Sequence, residues 1–123
     1  MTDHCAVPDS ALVALRDALR RFAAERDWDG FHSPKNLAAA LSVEAAELLE
    51  HFQWLSEADS RTLPPEARQK VAEEMADVLL YLVRLADKLD VDLAVAAVAK
   101  IAQNAQKYPV AKSRGNSRKY DQL

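Results

Sequence analysis

Apolar side chains recur at helical spacing in four separate stretches of this 123-residue chain, and few residues interrupt them. Only two glycines and five prolines are present, while the helix formers Ala and Leu are the commonest residues. Sheets need turn residues that are nearly absent here. We therefore predict an all-α fold with four helices, formed as one domain over residues 1–123.

The boundaries of these helices follow from local signals. The first is predicted to begin at Asp9 or Ser10, the second at the Ser33 and Pro34 pair, and the fourth at Asp92 as N-cap. The predicted helices cover about 10–26, 34–55, 65–89 and 92–107. The basic residues that follow are predicted to be irregular, as is the segment between the second and third helices.

Charge is distributed unevenly along the chain. The formal net charge is −3, but residues 100–123 hold six Lys or Arg side chains and one Asp, so an acidic body precedes a basic tail. Acidic helix faces repel phosphates, which argues against a nucleic-acid partner. No apolar run approaches the roughly 20 residues of a membrane span. The single cysteine, Cys5, forms no internal disulfide, and no signal peptide is recognisable, so the expected location is cytoplasmic and not at a membrane.

Two predicted helices carry a carboxylate pair beside their apolar stripe. On the second helix the flank holds Glu44 and Glu47 at i, i+3, followed by His51 and Trp54. On the third helix the corresponding flank holds Glu74, Asp77 and Tyr81. The core stripe of this third helix is predicted to be Ala67, Val71, Met75, Val78, Leu82, Leu85 and Leu89.

Carboxylates spaced i, i+3 project in similar directions, so two such pairs on facing antiparallel helices converge on one point. Four negative oxygen donors repel one another unless a cation lies between them. Mg²⁺ prefers such donors and commonly binds substrate phosphates as well, and Mn²⁺ is an alternative. The pattern predicts metal-assisted hydrolysis of a phosphate ester or anhydride.

Other interpretations remain open at this point. A Glu-x-x-Glu pair on an Ala-rich helix is often only a solvated face, which would make the chain an inactive helical oligomerisation or binding module. Ferritin-like di-iron proteins are excluded, because they need Glu-x-x-His at i, i+3 on two helices. The third helix is apolar over a wide arc that includes Leu79, Leu80 and Val83, and this predicts a subunit contact.

The carboxylate pairs occur within longer recognisable segments. The run RDWDGFHSPKNLAAALSVEAAELLEHFQW, followed by EEMADVLLYLVRLADKL and KIAQNAQKYPV, resembles the MazG-like all-α nucleotide pyrophosphohydrolases, and most of all their dCTP pyrophosphatase branch. This resemblance covers about residues 10–123. It implies a four-helix core that assembles as a homodimer or homotetramer, and cleavage between the α- and β-phosphates of a nucleoside triphosphate.

The resemblance also implies roles for individual residues. Glu44, Glu47, Glu74 and Asp77 match the family's Mg²⁺ ligands, and Glu47 is our choice for the group that accepts the proton of the attacking water. Base-binding positions map to Trp28 and Trp54, with Tyr81 and His32 nearby. The hydrogen bonds that discriminate between bases are expected from His32, from His51 or from a backbone group. Lys100 and Asn104 match positions that the family places near sugar and phosphate. Charge-assisted bonds to the polyphosphate are expected from Lys107, Tyr108, Arg114 and Lys119, and a solvated or disordered basic end is the alternative for each tail residue.

The predicted activity is a Mg²⁺-dependent hydrolysis of a deoxynucleoside triphosphate, with dCTP preferred, which removes unwanted nucleotides from the pool. The same reaction on other or broader nucleotides is the nearest alternative. Stacking on aromatic rings gives affinity for any base, so the aromatic positions alone do not decide between these substrates.

Overall fold

The computed structural model describes residues 10–123, and all of the regular structure in this range is helical. The α-helices are α1 (Ser10–Glu25), α2 (Pro34–Glu50), α3 (Glu57–Ser60), α4 (Pro65–Lys88), α5 (Leu93–Lys107) and α6 (Val110–Ser113). Short 3-10 helices form at Asp29–Phe31 and Tyr120–Gln122. The all-α prediction is confirmed. No helix in the described range is both long and apolar enough to cross a membrane.

The described residues fall into two compact units, 10–91 and 92–123. In the first unit, α1 and α2 both pack against the long helix α4. The fully buried apolar side chains of this unit come from all three helices: Ala23, Leu37, Val71, Val83 and Ala86. The second unit contains α5, α6 and the final 3-10 turn.

Helix starts agree with the local signals in the sequence. The Ser33 hydroxyl accepts a hydrogen bond from the backbone N–H of Asn36, with Pro34 in the first turn, and the Asp92 carboxylate accepts one from Val95. Each cap satisfies a backbone donor that has no partner within its helix. The predicted starts of α2 and α5 are confirmed.

Two helices end on an aspartate in the left-handed conformation, which the sequence analysis did not anticipate. Asp27 has φ 53° after α1, and Asp90 has φ 57° after α4. In each case the following N–H reaches back five residues, from Trp28 to Ala23 at 2.9 Å and from Val91 to Ala86 at 2.8 Å. Such bonds close a helix and reverse the chain, and here they hold Trp28 against the end of α1.

Several boundary predictions were wrong. α2 ends at Glu50 instead of Leu55, because the next residues form tight turns such as the bond from Phe52 N–H to the Leu49 carbonyl at 2.8 Å. The segment predicted as a loop contains α3, whose N-cap Ser56 accepts from the Asp59 N–H. The tail, predicted to be irregular, forms α6 and a 3-10 turn.

The predicted core stripe of α4 is only partly buried. Val71 is enclosed, but Met75 and Leu89 are more than half exposed. The wide apolar arc of α4 is also buried in one part and exposed in another, since Val83 is 4% exposed and Leu79 is 39% exposed. Within residues 10–123, α4 thus buries one part of its apolar surface and leaves another part open.

Candidate functional site

The two predicted carboxylate pairs lie on helices that pack against each other. α2 carries Glu44 and Glu47, and α4 carries Glu74 and Asp77. One carboxylate oxygen from each of Glu44, Glu74 and Asp77 lies within 4.8 Å of the other two. The spacing of i, i+3 and the packing of α2 on α4 together produce this acidic cluster.

Glu47 lies beside the acidic cluster and is not one of its three members. Its carboxyl group is close enough to share a hydrogen bond with Glu44, and this interaction is the largest cause of a pKa of about 7 for Glu44. Burial and the neighbouring carboxylates of Glu74 and Asp77 raise the same pKa further. Near neutral pH, the carboxyl group of Glu44 is therefore only partly ionised.

The chemistry of the acidic cluster fits a divalent cation. Oε2 of Glu44 and Oε2 of Glu74 are both enclosed and have no hydrogen-bond partner in the described structure. An enclosed carboxylate oxygen without a donor is costly, and a hard cation removes that cost. Three carboxylates at this spacing form an oxygen donor set that could hold such an ion.

An apolar cavity of about 470 Å³, called the recess below, opens directly beside the acidic cluster. Its wall combines one face of α1, the turn after α1 and one face of α4. The residues that line it are Leu15, Ala18, Leu19, Phe22, Ala23, Trp28, His32, Glu44, Asp77, Leu80, Tyr81 and Arg84. Because Glu44 and Asp77 belong to both features, a ligand in this recess can reach the acidic cluster.

Aromatic rings give the recess its shape. Trp28 stands edge-to-face against Phe22, with ring centroids 5.7 Å apart, and edge-to-face against His32 at 6.3 Å. Tyr81 lies on α4, one turn after Asp77. A flat heterocycle of nucleobase size suits a recess of this volume and lining.

The structure brings only some of the predicted base-binding residues together. Trp28, His32 and Tyr81 line the recess. His51 is the C-cap of α2, and Trp54 lies beyond the end of that helix with 88% of its surface exposed. Neither of these two residues lines the recess within residues 10–123, so their predicted role stays a prediction.

The predicted sugar and phosphate residues all belong to the second unit. Lys107 Nζ lies 4.9 Å from the centre of the Tyr120 ring, and Tyr108 packs edge-to-face on the same ring. Lys100 donates to Gln103, while Asn104 is exposed. Arg114 is the C-cap of α6 and Lys119 precedes the final 3-10 turn. Their contact with a phosphate stays a prediction.

Sequence reasoning missed Arg84, the only charged residue among the buried residues of the described chain. It is 5% exposed and lines the recess on α4, three residues after Tyr81. Its position in the otherwise apolar run LLYLVRLA was the available signal, because an arginine flanked by core residues must find charged or polar partners.

Known proteins that are similar to this helical chain with its acidic cluster include nucleotide hydrolases. The MazG-like family matches residues 39–123. The dCTP pyrophosphatase 1 of Mus musculus is 46% identical over 118 residues, or 94% of this chain and 69% of the mouse protein. The human protein of the same name is 42% identical over the same shares.

A solved structure extends the likeness to three dimensions. A pyrophosphatase from Archaeoglobus fulgidus superimposes with a TM-score of 0.73 at 38% identity, covering 89% of this chain and 97% of the archaeal chain. The chain belongs to the MazG-like family, which confirms the resemblance seen in the sequence.

Proposed function

We propose that the protein is a nucleoside triphosphate pyrophosphohydrolase that prefers dCTP, converts it to dCMP and diphosphate, and so removes unwanted nucleotides from the cytoplasmic pool. One observation supports this proposal most directly: Glu44 and Asp77 line the recess and also belong to the acidic cluster. The names of the mouse and human relatives support the choice of substrate.

The proposed binding mode follows from the lining of the recess. The base lies against Trp28 and Tyr81, and the triphosphate extends toward the acidic cluster. Stacking on aromatic rings contributes about 1–3 kcal/mol per base. Lys100, Lys107 and Arg114 stay candidates for neutralising phosphate charge, because charge-assisted hydrogen bonds to phosphate are strong.

Glu44, Glu74 and Asp77 are proposed to hold Mg²⁺, with Mn²⁺ as a substitute, and Glu47 stays a predicted fourth ligand. When bound, the ion neutralises charge that develops on the phosphates and makes water more acidic. Glu47, which stands outside the group of three oxygens, accepts the proton of the water that attacks phosphorus. The bond between the α-phosphorus and the bridging oxygen breaks, diphosphate leaves, and Glu47 returns its proton to solvent.

The test is a panel of the common dNTPs and NTPs with the purified full chain and Mg²⁺, with products resolved by ion exchange. We expect dCMP and diphosphate, and the highest kcat/KM for dCTP. Turnover in ¹⁸O-labelled water should place the label in dCMP. Release of orthophosphate with dCDP would contradict the proposed bond cleavage, and absence of turnover on the whole panel would favour an inactive binding module.

Two variants show whether any turnover belongs to this site. Asp77→Asn should lower kcat by more than about a hundredfold without loss of helical circular dichroism, since even outer partners of metal ligands are worth roughly 10–100-fold. Glu73→Gln is the matched control, because Glu73 is exposed on the same helix and bonds only to Gln69 among the described contacts. Equal losses of kcat in both variants would show that the acidic cluster takes no part in catalysis.

A further inference from the structure

Arg84 places a permanent positive charge in the wall of the recess. Its guanidinium donates to the Asp29 carboxylate and lies 3.6 Å from the Asp87 carboxylate. Asp87 is in turn paired with Arg20, and Asp29 accepts from Lys88 at 2.7 Å. A buried charge is tolerated only with partners of this kind, and they fix the orientation of the guanidinium plane.

The third partner of Arg84 is His32. The guanidinium Nε lies 3.1 Å from Nδ1 of the imidazole ring. Arginine cannot give up its proton in a protein, so the hydrogen of this bond belongs to Arg84 and Nδ1 of His32 is the acceptor. A neutral imidazole that accepts a hydrogen bond at Nδ1 has its single N–H group at Nε2.

The surroundings of His32 favour this neutral ring. Burial, followed by the charges of Arg84 and Lys88, holds the pKa of His32 below its ordinary value, and Asp29 opposes this effect only in part. The ring also makes an edge-to-face contact with Trp28. His32 is therefore fixed both in position and in tautomer.

We propose that Arg84 is a positioning residue that holds His32 in the Nε2–H tautomer, so that the recess offers a hydrogen-bond donor to an acceptor atom on the edge of a pyrimidine base. This inference rests on the proposed function for the identity of the ligand. It identifies a source of base recognition that stacking on Trp28 and Tyr81 does not supply, because stacking tolerates any base.

The tautomer can be measured without any nucleotide. Two-bond ¹H–¹⁵N correlation spectra of the full chain at mildly alkaline pH should give His32 a pyridine-type Nδ1 and a pyrrole-type Nε2. The signals are assigned with His32→Gln, since the chain has three histidines. A protonated Nδ1 overturns the inference, and this result does not depend on whether the protein hydrolyses dCTP.

Two variants distinguish the effect of the hydrogen bond from Arg84 to His32 from the effect of positive charge nearby. Arg84→Met should give His32 the tautomer mixture of a solvated imidazole, and should raise KM for dCTP about three- to tenfold, as expected for one weakened hydrogen bond, while kcat changes less than about twofold. Lys88→Met is the matched control: Lys88 shares the Asp29 carboxylate but makes no hydrogen bond to His32 among the described contacts. Lys88→Met should leave both the tautomer of His32 and the KM for dCTP unchanged.

Other outcomes contradict the inference. A wild-type tautomer and KM in Arg84→Met, or equal changes in Lys88→Met, would show that Arg84 does not position the ring. Should Arg84→Met fail to fold, addition of a non-hydrolysable α,β-imido analogue of dCTP to the wild-type chain supplies the second readout. The Nε2–H resonance of His32 must then shift on saturation, and an unshifted resonance in the bound state overturns the role in base recognition.

Discussion

Glu44 illustrates how a single residue can favour function at the expense of stability. Its carboxyl group is half-buried, with Glu47, Glu74 and Asp77 around it, and Oε2 has no donor. Each neighbour disfavours the ionised form, which is why the pKa rises from 4.5 to about 7. The crowding destabilises the metal-free chain, and the divalent cation that we propose at this cluster would relieve it.

This shift predicts a pH-dependent stability for the metal-free protein. A carboxyl group with a raised pKa binds its proton more tightly in the folded chain than in the unfolded chain. Its stabilising contribution is therefore full below pH 4.5, is lost as pH rises from 4.5 to about 7, and stays lost above that. Glu44→Gln removes the titration, so in EDTA at pH 8 its Tm should exceed that of wild type by about 2–6 °C.

Melting curves followed by circular dichroism at pH 4 and pH 8 measure this difference. At pH 4 the two proteins should melt alike, because Glu44 is then protonated and closely resembles Gln. Glu73→Gln, outside the acidic cluster, should melt like wild type at both values. Equal Tm values for wild type and Glu44→Gln at pH 8 would show that ionisation of Glu44 does not destabilise the metal-free protein.

At the scale of the element, the start of α2 decides where two of the carboxylates lie. Ser33 caps the helix, and the side-chain amide of Asn36 donates to the Phe31 carbonyl at 3.0 Å. These bonds tie the first turn of α2 to the 3-10 turn that precedes His32. The helix thus begins at a defined residue, and its register places Glu44 toward α4.

Loss of the cap should be measurable. Ser33→Ala leaves a backbone donor of α2 without its partner and should lower the free energy of unfolding by about 1 kcal/mol, or Tm by roughly 3–6 °C. Ser42→Ala is the control on the same helix, because the Ser42 hydroxyl only donates to the carbonyl of Ala39 within the helix. Urea unfolding of both variants gives the comparison, and an equal loss in the two would contradict the role of the cap.

At the scale of the whole molecule, the amount of exposed apolar surface is high for residues 10–123. Sixteen large hydrophobic residues are exposed, while the buried apolar residues number six and are mostly small. On α4 the exposed group includes Met75 and Leu79, one turn apart, and on α5 it includes Val98 and Ile101. Exposed apolar side chains on a helix are typical of subunit interfaces, which supports the proposed homo-oligomer.

Light scattering after size exclusion tests this proposal on the full chain. We expect a mass that is two or four times 13.6 kDa for wild type. Met75→Glu should shift the mass toward the single chain, because it buries a charge in the proposed contact. Lys70→Glu, exposed on the opposite side of α4, should keep the wild-type mass. A wild-type mass of 13.6 kDa would exclude a stable oligomer.

Features that depend on a few neighbouring residues could be predicted from the amino-acid sequence alone. The caps Ser33 and Asp92 and the carboxylate pairs at i, i+3 are local, since helical hydrogen bonds and side-chain directions repeat every three to four residues. The resemblance to the MazG-like family likewise followed from short segments, and the family model matches residues 39–123.

Which of these side chains lie close together depends on the packing of helices that are distant in the sequence. The packing of α2 on α4 unites Glu44, Glu74 and Asp77 and leaves Glu47 to one side, a distinction that helical spacing cannot make. The bond between Arg84 and His32 joins residues that are 52 positions apart. Such contacts depend on how rigid helices are placed against one another, and that placement is set by the burial of the whole core and not by any local signal.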